Sequence, residues 1–485
     1  MHILQATSEF YPYSKTGGLA DMVAGLSGAL ADMGHEVTIV TPLHRGILGK
    51  HPKIKSTRFT LRIPMGRRVI KGRVRKIVPR RNLTVLFVDQ PKYYDREGIY
   101  MENGAGYPDN PERFIFFSKA VAQIAGKLRG KPDVIHCHDW QTGLIPLLLQ
   151  NRNSLGSRTP VPATCLSIHN LAYQGVCDAE NYRLTNLPRN FFTSSGVEFY
   201  GQLNFMKAGL VSAGQLTTVS PQYATEIMTP EFGEGLEGVV RQRVGDLSGI
   251  LNGVDYTQWR TTGNPHLHFD YSAQDLSGKI RNKAALLEGL GLPCKRKMPP
   301  LYAYVGRLAD QKGVDLILET IPRWVTKSGC LFVLLGNGDP YLEGKFRQMQ
   351  KDYPNSVCCH IGYHEPRAHL IEAAADFFLM PSRFEPCGLN QLYSLRYGTI
   401  PIVSDVGGLS DTVINLTQNP RTGNGIKLTK HSPEGLLQAL RASAKLYANR
   451  DRLNRIRKRA IRTNFEWKHS AKAYVEIYKS THKRR

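Results

Sequence analysis

The 485-residue chain predicts an α/β fold built on two doubly wound parallel sheets, one in each half. Three observations carry that expectation. Short apolar strands alternate with helix-length segments through residues 2–254, give way to a polar stretch at 261–274, and resume through residues 301–428. Strand ends run into glycine-rich or polar turns, at 306–313 and 336–339 for example, where open parallel sheets bind ligands. The length also exceeds what one hydrophobic core ordinarily fills.

In the first half the predicted strands are 2–8, 36–42, 84–90, 133–139, 163–170, 215–220 and 250–254, with a helix at 18–33. The first turn carries Lys15-Thr16-Gly17-Gly18-Leu19-Ala20-Asp21. Its glycine pair lets backbone approach a ligand, but it is not GxGxxG and no acid closes the following strand, which disfavours a nicotinamide or flavin enzyme. Lys15 brings a cation to the same edge. Residues 45–79 are long, basic and irregular, and read as an insertion or hairpin of undefined fold. Two strand ends, His138-Asp139-Trp140-Gln141-Thr142-Gly143 and Ser167-Ile168-His169-Asn170, place polar groups on one sheet edge with Lys15, although a single histidine there is commonly structural. Leu251-Asn252-Gly253-Val254-Asp255 reads as the last strand and turn, and 261–274 as the linker.

The second half has predicted strands at 301–305, 331–335, 357–361, 376–380, 400–403 and 425–428. After the first comes Gly306-Arg307-Leu308-Ala309-Asp310-Gln311-Lys312-Gly313. Arg307 as a fork and Lys312 as a point charge can approach a diphosphate from one side. Tyr363, after the third strand, suits base stacking or an ordinary loop. Residues 381–409 form a strand, loop, helix, strand unit: the loop 383–388, a helix at 389–397, a stop at Gly398 and a strand from 400. There Glu385 can hold hydroxyls, and the amides of Gly388 and Leu389, at the positive end of a helix, suit phosphate. An ordinary strand-helix turn with a buried Cys387 is the alternative.

No apolar run approaches the roughly 20 residues of a membrane span, and the N-terminus enters a strand without a leader, so the expected location is the cytoplasm, with no membrane partner. Eight cysteines without paired CxxC spacing read as buried, reduced thiols. His136-Cys137-His138-Asp139 resembles a metal cluster only on paper, because alternate strand residues face opposite ways; no metal and no cofactor is expected. The net charge of +24 is uneven. Residues 67–81 hold eight Lys/Arg and no acid, and 441–485 hold fifteen against three acids. The second run has helical periodicity and reads as a surface helix or a polyanion-binding patch.

Seven motifs in order, KTGGLAD, HDWQTGL, SIHN, ILNGVD, VGRLADQKG, PSRFEPCGLNQLYSLRYGTIPIV and VGGLSDTV, resemble bacterial glycogen synthases and plant soluble starch synthases. That resemblance implies a GT-B architecture of two Rossmann-like domains facing across a cleft: an acceptor-side domain at 1–258, onto which a C-terminal helix at about 465–485 crosses back, and a nucleotide-sugar domain at 275–464. It implies a cytoplasmic enzyme of glycogen biosynthesis that moves glucose, with retention, from a nucleotide-glucose donor, typically ADP-glucose, to the non-reducing end of an α-1,4-glucan acceptor without metal. Arg307 and Lys312 would stabilise the leaving diphosphate. Glu385 would hold glucose hydroxyls, His169 would lie against the transferred glucose, Asp139 near the acceptor hydroxyl, and Lys15 and Gly18 near donor phosphate or acceptor. Gly17, Asn170, Asn252, Gly306, Tyr363, Cys387, Gly388, Leu389 and Asn390 complete the implied substrate-binding set. Retention in this family is usually attributed to front-face attack, so no protein nucleophile is sought.

Three positions depart from the pattern. Tyr393 stands where related retaining transferases place a second glutamate, Asn390 where the family usually has threonine, and Ser404-Asp405-Val406 where an arginine and threonine are common. Alternatives are a catalytically silent glucan-binding or regulatory paralogue, which the five site residues Lys15, His169, Arg307, Lys312 and Glu385 together disfavour, a related transferase with another donor or acceptor, and a basic protein that uses its C-terminal helix to hold nucleic acid.

Overall fold

A computed structural model describes residues 1–102, 104–151, 161–294 and 298–483. The chain divides into two compact units, Met1–Gly253 with Trp467–Arg485, and Val254–Glu466.

The first unit holds a nine-stranded sheet. From one edge the order is Leu247–Gly249, Gln215–Thr218, Ala163–Ile168, Val134–His138, His2–Ala6, Glu36–Pro42, Leu83–Asp89, Arg68–Arg80 and Lys55–Met65. The first seven run parallel. The last two are antiparallel, so the irregular basic segment is a hairpin extending the sheet. Its period is two: Leu61, Ile63, Met65 and Val74 are buried, whereas Arg62, Lys71 and Arg73 are exposed. The Lys119 ammonium, on the helix Asn110–Lys127, ties the hairpin end down by donating to the carbonyls of Pro64 (2.6 Å) and Leu184 (2.8 Å) and to Asn186 Oδ1 (2.7 Å). The edge strand pairs at Leu247–Gly249, not at 250–254 as the apolar run suggested; Val254 instead makes an isolated bridge with Glu466. The helix Trp467–Lys483 belongs to this unit. Trp467, Ala471, Tyr474, Val475 and Tyr478 recur at helical spacing and bury one stripe against Met22, Val23 and Leu26 of the helix Gly18–Asp32 and against the sheet.

The second unit holds six parallel strands in the order Val357–Ile361, Leu331–Gly338, Leu301–Leu308, Phe377–Met380, Ile400–Val403, Ile426–Lys427. Residues 261–274, expected as a linker, are built into this unit. Tyr271 and Ala273 are buried with Ala373, Tyr397 and Ile461, and Asn264 Nδ2 donates to the Tyr397 hydroxyl at 2.8 Å. A polar composition concealed these apolar anchors. Likewise the basic C-terminal run is helical and partly internal: Arg457, 4% exposed, is ion-paired with Asp376, which also meets Lys283 at 2.6 Å. Among the described residues no helix is long and apolar enough to cross a membrane.

Candidate functional site

In the second unit the strand order reverses between Leu301–Leu308 and Phe377–Met380, which places the site-bearing loops at a topological switch point, the preferred ligand position of open α/β sheets. The two loops that carry Arg307–Lys312 and Arg383–Gly388 are stitched together there. Arg383 N donates to Gln311 O (2.9 Å), Gln311 Nε2 to Phe384 O (3.2 Å), and the Arg383 guanidinium to Asp310 O (2.8 Å) and both Asp315 oxygens (2.8 and 2.7 Å). The close approach depends on Gly313, at φ +62, where an added Cβ would collide with the Pro381 carbonyl oxygen.

The stitching brings Lys312 Nζ to within 2.6 Å of Glu385 Oε2, which also accepts from Ser382 Oγ at 3.1 Å. The expected phosphate cation and the expected sugar carboxylate are thus one pair, with Glu385 buried at 5% exposed and Lys312 partly buried. Arg307 is exposed, and its guanidinium donates to Gln311 Oε1 at 3.2 Å. Gly306 precedes it, and Tyr304 donates its hydroxyl to the Arg307 carbonyl at 2.6 Å. Tyr363 is 69% exposed at the end of the third strand. Cys387 is buried, and Gly408 packs against its backbone with no room for a side chain.

The structure qualifies four expectations. The helix after Gly388 and Leu389 spans only Asn390–Arg396, so its dipole is a smaller aid than the neighbouring cations. Asn390 turns its amide nitrogen to the Val305 carbonyl at 2.6 Å, fastening the helix start to the first strand. Tyr393 is buried and stacks on Trp259 with ring centroids 3.6 Å apart, so it fills core where a second glutamate would bind ligand. Asp405 is paired with Lys427 at 2.7 Å; burial pushes its carboxyl up, but the hydrogen bonds from Lys427 and Ser410 outweigh this and hold it below the usual range.

In the first unit the equivalent reversal lies between His2–Ala6 and Val134–His138. Sequence reasoning missed its organising residue, Glu9. This buried carboxylate accepts from the Thr16 amide, Thr16 Oγ1 (2.6 Å), Gly17 N (3.4 Å) and the Tyr100 hydroxyl (2.6 Å), and so shapes the glycine turn. Its signal was an acid placed directly after an apolar strand and seven residues before Thr16. An added Cβ at Gly17 meets nothing within 4 Å, so neither fold nor backbone angle demands glycine there, and the space is open. Gly18 begins the helix, and Lys15 pairs with Asp21 at 2.8 Å.

Asp139 adopts φ +57, and its Oδ1 accepts from the His169 amide at 2.7 Å. Burial pushes its carboxyl up to about 7, against the lowering effect of the His169 and Asn170 amides. His138 Nδ1 lies 3.0 Å from His169 Nε2. Burial drives the His169 imidazole down to about 3. Asn170 closes its own turn by accepting from the Ala172 amide at 3.1 Å. Asn252 is buried, and its Oδ1 has no hydrogen-bond partner among the described residues. His136 and His138 share one face of their strand, with ring centroids 4.1 Å apart, while Cys137 lies on the other. Among the described residues no group of three His, Cys, Asp or Glu could hold a metal.

Residues 2–242 match the model of the starch synthase catalytic domain, and residues 294–463 that of the glycosyl transferases group 1. A glycogen synthase of Opitutus terrae is 42% identical over 482 residues, covering 99% of this chain and 100% of the relative. One from Anaeromyxobacter sp. is 44% identical over 483 residues, covering 99% of each. Among solved structures, the catalytic domain of Starch Synthase IV from Arabidopsis thaliana, bound to ADP and acarbose, matches with a TM-score of 0.91 and 31% identity over 99% of both chains. The two-domain α/β fold is therefore of the GT-B class, and the chain belongs to the glycogen and starch synthase family of glycosyltransferases.

Proposed function

We propose that the chain transfers glucose from ADP-glucose to the non-reducing end of an α-1,4-glucan with retention of configuration, in the cytoplasm. The observation that carries the reading is the Lys312–Glu385 pair, held at a switch point by Gly313 and flanked by Arg307. Departure of the nucleoside diphosphate leaves negative charge, for which Arg307 and Lys312 are fixed counter-charges, and Glu385 receives glucose hydroxyls beside them. Two guanidinium and ammonium donors already in place need no divalent ion to neutralise the leaving group. In the first unit, the open space at Gly17 suits close approach of a ligand to the backbone, and Asp139 holds the His169 turn that would meet the transferred glucose. The solved relative that carries ADP and acarbose supports an adenosine donor and a glucan-like acceptor.

The test is ADP, UDP or GDP release from the corresponding nucleotide-glucose, with glycogen or maltose as acceptor and chelator present. ADP release with glycogen is expected to be fastest. Equal or greater UDP release would reassign the donor, and no release from any donor would favour a silent glucan-binding paralogue.

A further inference from the structure

A chain of buried polar side chains runs from His169 to the C-terminal helix, all within the first unit. His169 Nε2 is 3.0 Å from His138 Nδ1, and His138 Nε2 is 2.7 Å from Gln5 Oε1. Gln5 Nε2 reaches the Tyr478 hydroxyl at 3.4 Å, and that hydroxyl is 2.7 Å from His136 Nδ1. His136 Nε2 continues to Ser167 Oγ at 2.7 Å, and Ser167 Oγ to Thr217 Oγ1 at 2.5 Å. Gln5, His136, His138, Ser167, Thr217 and Tyr478 are all fully buried, so water does not compete for these bonds.

A neutral imidazole has one N–H and one bare nitrogen, so fixing the role of one nitrogen fixes the other. Burial drives His136 and His169 down to about 3 and His138 down as well, which keeps all three neutral near neutral pH. Starting from Gln5, whose carbonyl oxygen faces His138 and whose amide nitrogen faces Tyr478, each role follows. His138 must donate through Nε2, which leaves its Nδ1 bare, and His169 must then donate through Nε2. Tyr478 accepts from Gln5, and the acceptor within reach of its own proton is His136 Nδ1, at 2.7 Å. His136 passes an N–H to Ser167. Every donor thus points the same way along the chain. The outcome at the far end is that His169 presents a bare Nδ1, an acceptor with no hydrogen bond among the described residues.

We infer that Gln5 and Tyr478 are positioning residues that set the tautomer of His169, and that the C-terminal helix thereby fixes His169 Nδ1 as an acceptor for a sugar hydroxyl. The sugar contact rests on the function proposed above, whereas the tautomer does not. Reversing the Gln5 amide would reverse every role and turn His169 Nδ1 into a donor, which a hydroxyl can also meet but with its own proton directed elsewhere.

The experiment is long-range proton–nitrogen correlation of histidine-labelled full-length protein, with His169 assigned by the loss of its signals in His169→Gln. In the wild type His169 is expected as the single Nε2–H tautomer. Tyr478→Phe keeps the buried ring and removes only the hydroxyl; Gln5→Met removes both amide groups and leaves Tyr478 in place. Each is expected to give a mixture of His169 tautomers and about a fivefold fall in kcat, the size of one net neutral hydrogen bond, with KM for the donor nearly unchanged. A wild-type His169 found as Nδ1–H, or one unchanged tautomer in both variants, would overturn the inference. The spectra need no turnover, so a wild type without glucosyl transfer would overturn the proposed function while the tautomer result still decides this one.

Discussion

The two sheet edges hold polar groups at the ends of buried strands by opposite electrostatic means. After the strands Val134–His138 and Ala163–Ile168 the first unit uses a histidine network of uncharged partners: three imidazoles kept neutral by burial, one carboxyl raised by burial, and hydroxyl and amide links between them, whereas the Lys15–Asp21 ion pair belongs to the glycine turn. The second uses ion pairs, Lys312–Glu385, Arg383–Asp315 and Lys427–Asp405. A neutral network is set by which atom bears each proton, and a charged one by which side chain is present. The first edge should therefore respond to pH and the second to charge deletion.

The sharpest way to break this contrast is at Lys312 and Glu385. Lys312→Ala and Glu385→Gln are each expected to lower turnover about 10²- to 10³-fold, the first by removing a preorganised cation at a developing anion and the second by removing the carboxylate that holds that cation in place. Because the two touch at 2.6 Å and Glu385 is buried, they act as a unit, and the double variant should be little slower than either single one. Initial rates of nucleotide release measure this. If the losses multiply, the pair is not one device and the description of the second edge fails.

Acidification is the corresponding test of the first edge. For the three imidazoles the folded value lies below the ordinary 6.5, so the stability they allow is complete above that pH. It is lost as pH falls below it, when only the unfolded chain takes up protons; each contributes a slope of about 1.4 kcal/mol per pH unit. Asp139 acts in the opposite sense between about 7 and its ordinary value of 3.8, since there the folded chain binds the extra proton, and it offsets one imidazole. These four groups together contribute a net slope of about 3 kcal/mol per pH unit between pH 6 and 4, and His44, driven down to about 4 by burial in the same unit, adds to it in the same sense. In the second, Asp315, lowered by the Arg383 hydrogen bonds, and Asp405 lose their contributions only below the ordinary carboxylate range. Hydrogen exchange resolved by unit at pH 7 and pH 5 should show early opening of the first unit. Equal protection of both at pH 5 would erase the distinction.

What the sequence made legible divides along the same lines. The strands around 331–338 and 377–403 and the stop at Gly398 follow from local period and turn chemistry, which the chain writes in consecutive residues. The motif glycines and the Arg307, Lys312 and Glu385 set were visible as residue types at strand ends. Their pairing was not, because Lys312 and Glu385 are 73 residues apart and only the sheet order makes them neighbours. Gln5 and Tyr478 were hidden for the same reason, their partners lying 133 and 473 residues away. The hairpin at Lys55–Arg80 was obscured because its exposed face is so basic that charge masked the alternation beneath. Residues 261–274 were misjudged because a few buried anchors in a polar strap leave no periodic trace.

The smallest expected effect concerns Arg383, and it separates charge as stability from charge as geometry. Its guanidinium makes a bidentate pair with Asp315, yet the two side chains are 35% and 44% exposed. Such pairs contribute about 0–1 kcal/mol, so Arg383→Ala should barely move the unfolding midpoint of the second unit. Its other bonds, to Asp310 O by side chain and to Gln311 O by backbone, fix where the Lys312 loop meets the Glu385 loop. Only the side-chain link is lost in the variant, and a modest fall in turnover, about threefold, is expected from looser placement of an otherwise intact pair. Raising ionic strength should lower wild-type turnover toward that of the variant, because salt screens a half-exposed pair more than the partly buried Lys312–Glu385 contact. Urea titration and initial rates across a salt series read both quantities. A large stability loss with unchanged turnover would mean that the ion pairs of this edge hold the fold and not the site.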